Sequence, residues 1–356
     1  MSKVGRRHRV AAGVALLALA AAGCGTHTAT VAGAGASSQE IAMQAWLAGL
    51  YDEYPDILAS YDPAGSGAGR EMFITGAVDF AGSDAELDDE ELEQAAGRCG
   101  DGEVMELPLY ISPIAVAYNL PGLDVEHLNL EPETIAGMFD GQITRWDDPE
   151  IAASNPGVDL PDLPVIPVNR SDDSGTTENF TEYLAEAGGD AWPHEPSGTW
   201  PRSGTQSGQQ NAGVVSTMEA AEGTLGYLDA SQVTDELSTA AIGVGDGFVP
   251  FSPEAAAAVV DASPPAESAS DTRLTIHLDR DTDADGAYPL VLISYTIACT
   301  KYDTAEKADA VRALLTYMAS EAGQERVAAP DVAGAAPISP ELRARVMEVV
   351  DQISGP

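Results

Sequence analysis

The sequence predicts a mixed α/β fold with room for two domains, and two observations predict it. Segments with apolar residues at helical spacing alternate with short apolar runs bounded by turn-forming residues, the order that builds sheets covered by helices. The chain is also 356 residues long and 44% hydrophobic, more than one core ordinarily holds. No internal repeat is present.

Taken in order, "IAMQAWLAGLYDEY" (41–54) has the spacing of a helix, and "VDFAGSD" (78–84) reads as a short strand ending in small polar residues. "LYISPIAVAYNL" (109–120) reads as a buried strand or crossover. "ETIAGMFDG" is a helix stopped by Gly141, "LPVIPVN" (163–169) a strand, and "TENFTEYLAEAG" a helix stopped by Gly188. The Gly, Ser, Thr and Gln-rich stretch 197–213 is expected to be loop. After an Ala, Ser and Pro-rich passage (254–271), "YPLVLISYTIACT" (288–300) is a strong strand and "EKADAVRALLTYMAS" an amphipathic helix.

The first residues say where the protein operates. Lys3, Arg6, Arg7 and Arg9 precede an apolar run from Val10 to Ala22, too short to span a bilayer and suited to an export signal over 1–23. Gly23 and Cys24 follow, similar to a lipoprotein cleavage box in which Cys24 becomes the lipidated first residue, with 24–32 as a tether. Ala21 stands where such boxes usually carry Leu, so a plain secretory cut near Ala22 is the alternative, and the arginine pair leaves the twin-arginine route open. Removing the signal's four basic residues leaves 13 Lys and Arg against 57 Asp and Glu, a net charge near −44 that excludes nucleic acid as a partner. Cys99 and Cys299 remain, and an oxidising compartment permits either a disulfide or two buried thiols.

Against that charge, "NRSDDSGTTENF" (169–180) sets Arg170, Ser174, Gly175, Thr176 and Thr177 just ahead of a helix, where unpaired amides and short hydroxyls can hold one small oxyanion. Alone, "SGTTE" would be only a helix cap. It is joined by "GAGAS" (33–37), "GSGAG" (65–69), "TGAVDFAGSDAEL" (75–87), "IAVAYNLPGL" (114–123), "IAGMFDGQITRWDDPEIAASNPG" (135–157) and "GTLGYLD" (223–229). In this order and wording the motifs resemble the phosphate-binding protein of the phosphate-specific ABC importer, a type II periplasmic binding protein, over nearly the whole mature chain.

The resemblance implies a two-lobed type II fold with two crossing segments between the lobes. Residues 33–110 and 288–356 would form lobe 1 and 111–287 lobe 2. Inorganic phosphate would be held between them and delivered to a membrane permease and its ATPase, by a monomer with no cofactor, metal or enzymatic activity. The family's binding residues carry over as Ser37, Ser38, Ser66, Asp84, Arg170, Ser174, Gly175 and Thr176, with Asp172 pairing the arginine. Arg170 can fork two hydrogen bonds onto phosphate. Asp84 would accept a hydrogen bond from the proton that phosphate keeps near neutral pH and that sulfate lacks.

Three positions depart from the family pattern: Ser38 where Phe is usual, Asp173 where Gly is usual, and Glu178 where an aromatic is usual. Either they loosen and wet the pocket, or the two carboxylates point outward. Other classes fit less well. A receptor for sulfate or molybdate would lack an acceptor for a protonated ligand, and an exported phosphohydrolase would need a nucleophile with a base, or a metal cluster. His27, His127, His194 and His277 show no metal-ligand spacing. "DRDTDADGAY" (279–288) resembles a calcium loop but has Leu292 where the closing Glu belongs, and reads as a solvated acidic loop.

Overall fold

The computed structural model describes residues 29–356; the signal segment, Cys24 and His27 lie outside the described residues. Eleven strands run in chain order as β1 Ala29–Gly35, β2 Ile57–Asp62, β3 Phe80–Ser83, β4 Val104–Tyr118, β5 His127–Leu130, β6 Ile166–Arg170, β7 Gln206–Gly208, β8 Thr224–Asp229, β9 Ser238–Val244, β10 Gly247–Pro250 and β11 Val291–Cys299. β1 begins at Ala29, so residues 29–32, expected as the end of a tether, are already in the sheet.

Hydrogen bonding runs β2-β1-β3-β11-β4-β8-β6-β7, and β9 joins β4 while carrying β5 and β10. β4 is the shared element. Its first part, Val104–Pro113, pairs antiparallel with β11, and Ile114–Tyr118 pairs antiparallel with β8. All fifteen of its residues and all nine of β11 are buried, which is why both read as continuous apolar runs rather than alternating ones. β1, β2 and β3 are mutually parallel, as are β6, β7 and β8, so each set presents its strand ends, and the helices that follow them, on one side.

The helices follow their caps. Asp88 and Glu91 make a reciprocal capping box at the start of Asp89–Cys99, and Gly141, in the left-handed region at φ 74°, closes Pro132–Asp140. The stretch 197–213 is not all loop: β7 and the start of the helix Gln210–Glu219 fall within it. Periodicity misses them because β7 is three residues long and the helix opens on Gln210 and Asn211, both polar. The long motif around Trp146 is a packing device. The indole is fully buried, lies 5.6 Å from the Tyr118 ring and donates to the Gly223 carbonyl at 3.0 Å, joining two of the sequence motifs in the core.

Cys99, ending the helix Asp89–Cys99, is disulfide-bonded to Cys299 at the end of β11, with Cα atoms 5.5 Å apart across 200 residues of sequence. Closing so long a loop removes much freedom from the unfolded chain. Replacing both cysteines by Ala is expected to cost about 2–4 kcal/mol in urea unfolding. Identical midpoints for oxidised wild type and the double variant would count against this role.

Candidate functional site

The site is built around Asp84, the residue immediately after β3, which is 3% exposed. Its Oδ1 accepts from Ser38 Oγ at 2.7 Å and its Oδ2 from Thr176 Oγ1 at 3.0 Å. Its backbone N–H donates to Ser66 Oγ at 3.2 Å, and its carbonyl accepts from Asn179 Nδ2 at 2.7 Å. Burial pushes the Asp84 pKa up, while the hydroxyls of Ser38, Ser294 and Thr176 and the charge of Arg170 pull it back. Ser38 and Thr176 thus take one carboxylate oxygen each, and an ionised carboxylate has lone pairs for further donors.

Arg170 ends β6 and is 2% exposed. Nε and Nη2 fork onto Asp172 Oδ1 and Oδ2 at 2.9 and 2.5 Å. Asp172 also accepts from the Gln210 backbone N–H at 3.0 Å. Among the described residues no acceptor takes Nη1, so the guanidinium is aimed by one carboxylate with an edge left over for an anion.

Four helices start at this cluster: Glu40–Glu53 just after Ser37 and Ser38, Ser66–Ile74, Gly175–Ala187 behind its cap Ser174, and Gln210–Glu219. Their first turns carry the positive ends of their dipoles, with some amides already answered: Thr177 by Ser174 Oγ, Gln210 by Asp172 and Asn211 by Ser37 Oγ. Glycine makes the approach possible at two points. A Cβ on Gly175 would lie 2.7 Å from both Asp84 Cβ and Ser66 Oγ. Gly65, at φ +104°, leaves no room for one beside Asp172 Oδ2, at 2.8 Å.

Ser37, Ser38, Ser66, Asp84, Arg170, Ser174, Gly175 and Thr176 are therefore all buried and brought together, with Asp172 behind the arginine. Sequence reasoning missed Asn211, whose N–H and Nδ2 both reach Ser37 Oγ at 3.3 Å, and Gln210, the one non-glycine at positive φ (59°) among the described residues. The available signal was "QQNAG" ahead of a helix, the same donors-before-helix pattern as 169–180. Also missed was Tyr227, whose hydroxyl meets Thr177 Oγ1 at 2.7 Å and accepts from the Arg170 N–H at 3.2 Å.

Comparison with known proteins sets this geometry in a family. Residues 20–322 match the PBP superfamily domain. Phosphate-binding protein PstS2 of Mycobacterium bovis strain BCG is 33% identical over 323 residues, covering 89% of this chain and 85% of that protein. The chain belongs to the PstS phosphate-binding protein family. Two solved structures share the fold of this PstS chain at lower identity. The phosphate-bound periplasmic phosphate-binding protein PfluDING superposes with TM-score 0.73 at 20% identity, over 90% of this chain and 93% of its own. The phosphate-binding protein from Stenotrophomonas maltophilia superposes with TM-score 0.67 at 20% identity, over 90% and 93%. The two-lobed α/β periplasmic-binding-protein fold expected from the sequence is the one found.

The three departures of this PstS sequence have different outcomes. Ser38 replaces an apolar wall with a donor to Asp84. Asp173 is exposed at the rim, near Gly67 and Gly198. Glu178 does not point outward: half-buried, it lines a cavity of about 300 Å³ beside Asp84, and burial pushes its pKa up to about 7. Asp229, last in β8, is a second buried carboxylate. Its Oδ1 accepts from Tyr110 Oη at 3.0 Å and from the Ser231 N–H and Oγ at 2.9 and 2.5 Å, while Oδ2 has no partner among the described residues.

Burial pushes the Asp229 pKa up to about 7, against the pull of Ser231 and Ser112 and with a further push from Asp84. A carboxyl that holds its proton more tightly folded than unfolded stabilises the fold least above its folded pKa. Stability from Asp229 is expected to fall as pH rises from about 4 through about 7, by on the order of a few kcal/mol. Thermal unfolding followed at pH 5 and pH 8 checks this: Asp229→Asn should shrink the loss between the two, and an unchanged slope would contradict it.

Proposed function

We propose that this PstS chain captures inorganic phosphate outside the cytoplasmic membrane with high affinity and delivers it to the permease and ATPase of an ABC importer. The observation that carries the reading is one buried cluster that joins a cation, four helix N-termini and an acceptor-only carboxylate. The first two favour any oxyanion, and Asp84 selects one that still carries a proton. The relatives are named for phosphate, and two solved neighbours carry that name as well.

The mechanism is capture rather than catalysis. Among the described residues no group of three or more His, Cys, Asp and Glu could hold a metal ion. No hydrogen bond among the described residues links His127, which meets Thr239, or His194, which meets Asp140 at 2.9 Å, to a hydroxyl of the site. Residues 33–110 with 288–356 form one lobe and 111–287 the other. This division is supported by β1, β2 and β3 lying on one side of β4 and β6, β7 and β8 on the other. Asp84–Thr176 and Ser37–Asn211 then bridge the cleft, and closure about β4 and β11 buries the ligand.

Titration calorimetry with phosphate, arsenate and sulfate tests the reading. Wild type is expected to bind the first two and reject sulfate by about 10⁴ or more, because sulfate leaves the acceptor unpaired. Asp84→Asn, with a donor and no charge, should narrow the ratio. Comparable sulfate binding by wild type would reopen the assignment.

The Gly23-Cys24 pair after the apolar run supports a lipid anchor on Cys24 that holds the protein at the outer face of the membrane. Cys24→Ser is expected to shift the protein from the membrane fraction to the medium or to block processing. A wild type found wholly in the soluble fraction would rule the anchor out.

A further inference from the structure

The acidic segment 279–288 contains one cation, Arg280. Asp281, Asp283 and Asp285 beside it are exposed, as a solvated loop requires, but Arg280 is 2% exposed and points inward. Burying a guanidinium is costly unless every N–H is answered. Here all three nitrogens are answered. Nε and Nη2 donate to Glu182 Oε2 at 3.1 and 2.9 Å, and Nη1 donates to the Val291 and Pro289 carbonyls at 3.0 and 3.4 Å. Nη2 also donates to Asn179 Oδ1.

The last contact fixes an amide. Arginine can only donate, so the Asn179 atom facing it must be the oxygen. The Asp84 and Gly175 carbonyls can only accept, so the nitrogen must face them, and Nδ2 lies 2.7 and 2.8 Å from the two. Asn179 has one orientation that satisfies all three neighbours, and Arg280 and the two carbonyls all oppose the flip. The guanidinium thereby joins the entry of β11 to the helix Gly175–Ala187, and through Asn179 to the backbone of Asp84.

We propose that Arg280 is a positioning residue for phosphate recognition: through Asn179 it holds the Asp84 main chain, and with it the carboxylate, where the ligand's proton must arrive. This rests on the phosphate reading given above. Arg280 makes no contact with Arg170, and through Asn179 it reaches the Asp84 carbonyl as well as the Gly175 carbonyl in the first turn of its helix, so the part of its effect that runs through the acceptor should vanish when the acceptor is already gone. A residue that merely supports the fold would act regardless of what stands at position 84.

The experiment is a double-mutant cycle read by phosphate titration, on variants with wild-type circular dichroism. Arg280→Met is expected to weaken phosphate binding about tenfold, the scale felt when an orienting partner one bond behind a ligand group is lost. The same change in the Asp84→Asn background should cost less than about twofold. Arg280→Lys, a point charge without the fork, should recover only part of the loss. Should Arg280→Met fail to fold, Asn179→Ala cuts the same relay and is expected to show the same dependence on Asp84. Equal losses in both backgrounds, or no loss in a folded Arg280→Met, would overturn the role of Arg280 alone. Wild-type protein giving no phosphate heat would instead sink the phosphate reading itself.

Discussion

The site depends on keeping one carboxylate both buried and satisfied. A buried aspartate ordinarily escapes its desolvation cost by taking up a proton or by finding a cation. Asp84 is instead held by neutral partners from several parts of the chain: Ser38 and Thr176 donate to the carboxylate, Asn179 donates to the carbonyl, and Ser66 Oγ accepts from the N–H. Those partners lie at or near the N-terminal ends of three helices, so the fold brings three helix starts to one aspartate.

The overall charge makes the arrangement informative. A chain of formal charge −40 repels anions at a distance. At physiological ionic strength that repulsion is screened over about 8 Å, whereas hydrogen bonds and helix-end dipoles inside a buried site are hardly screened. Attraction must be local. The acidic neighbours are managed in ways that preserve it: Asp172 is spent on Arg170 and the Gln210 amide, Asp173 is exposed at the rim, and Glu178 is pushed toward its neutral form by burial. Each removes a negative charge from the anion's surroundings by a different route.

Much of this was legible in the sequence because the chemistry is local there. Hydroxyls beside glycines ahead of a helix mark a candidate anion site in a few residues, as at Ser66 and at Ser174 to Thr176, and Arg170 with Asp172 is a pair two positions apart. What stayed hidden was set by distance or by backbone. Gln210 takes a positive φ that its residue type does not announce. The contact between Arg280 and Asn179 joins positions 101 residues apart. The direction of Glu178 was undecidable because a helix position three residues past Gly175 can face water or the cavity, depending on how that helix meets β11.

The bond between Cys99 and Cys299 gives the molecule a topology as well as a contact. Everything from residue 100 to residue 298 forms a covalent ring, carrying Arg170, the helix Gly175–Ala187 and Asn211, while Ser37, Ser66 and Asp84 sit on the arm that enters it. A single backbone cut anywhere in that ring, at an exposed loop attacked by an extracellular protease, leaves the two fragments joined as one molecule. The two sides of the cluster around Asp84 and Arg170 then stay tethered to each other, and bringing them back together remains an intramolecular event.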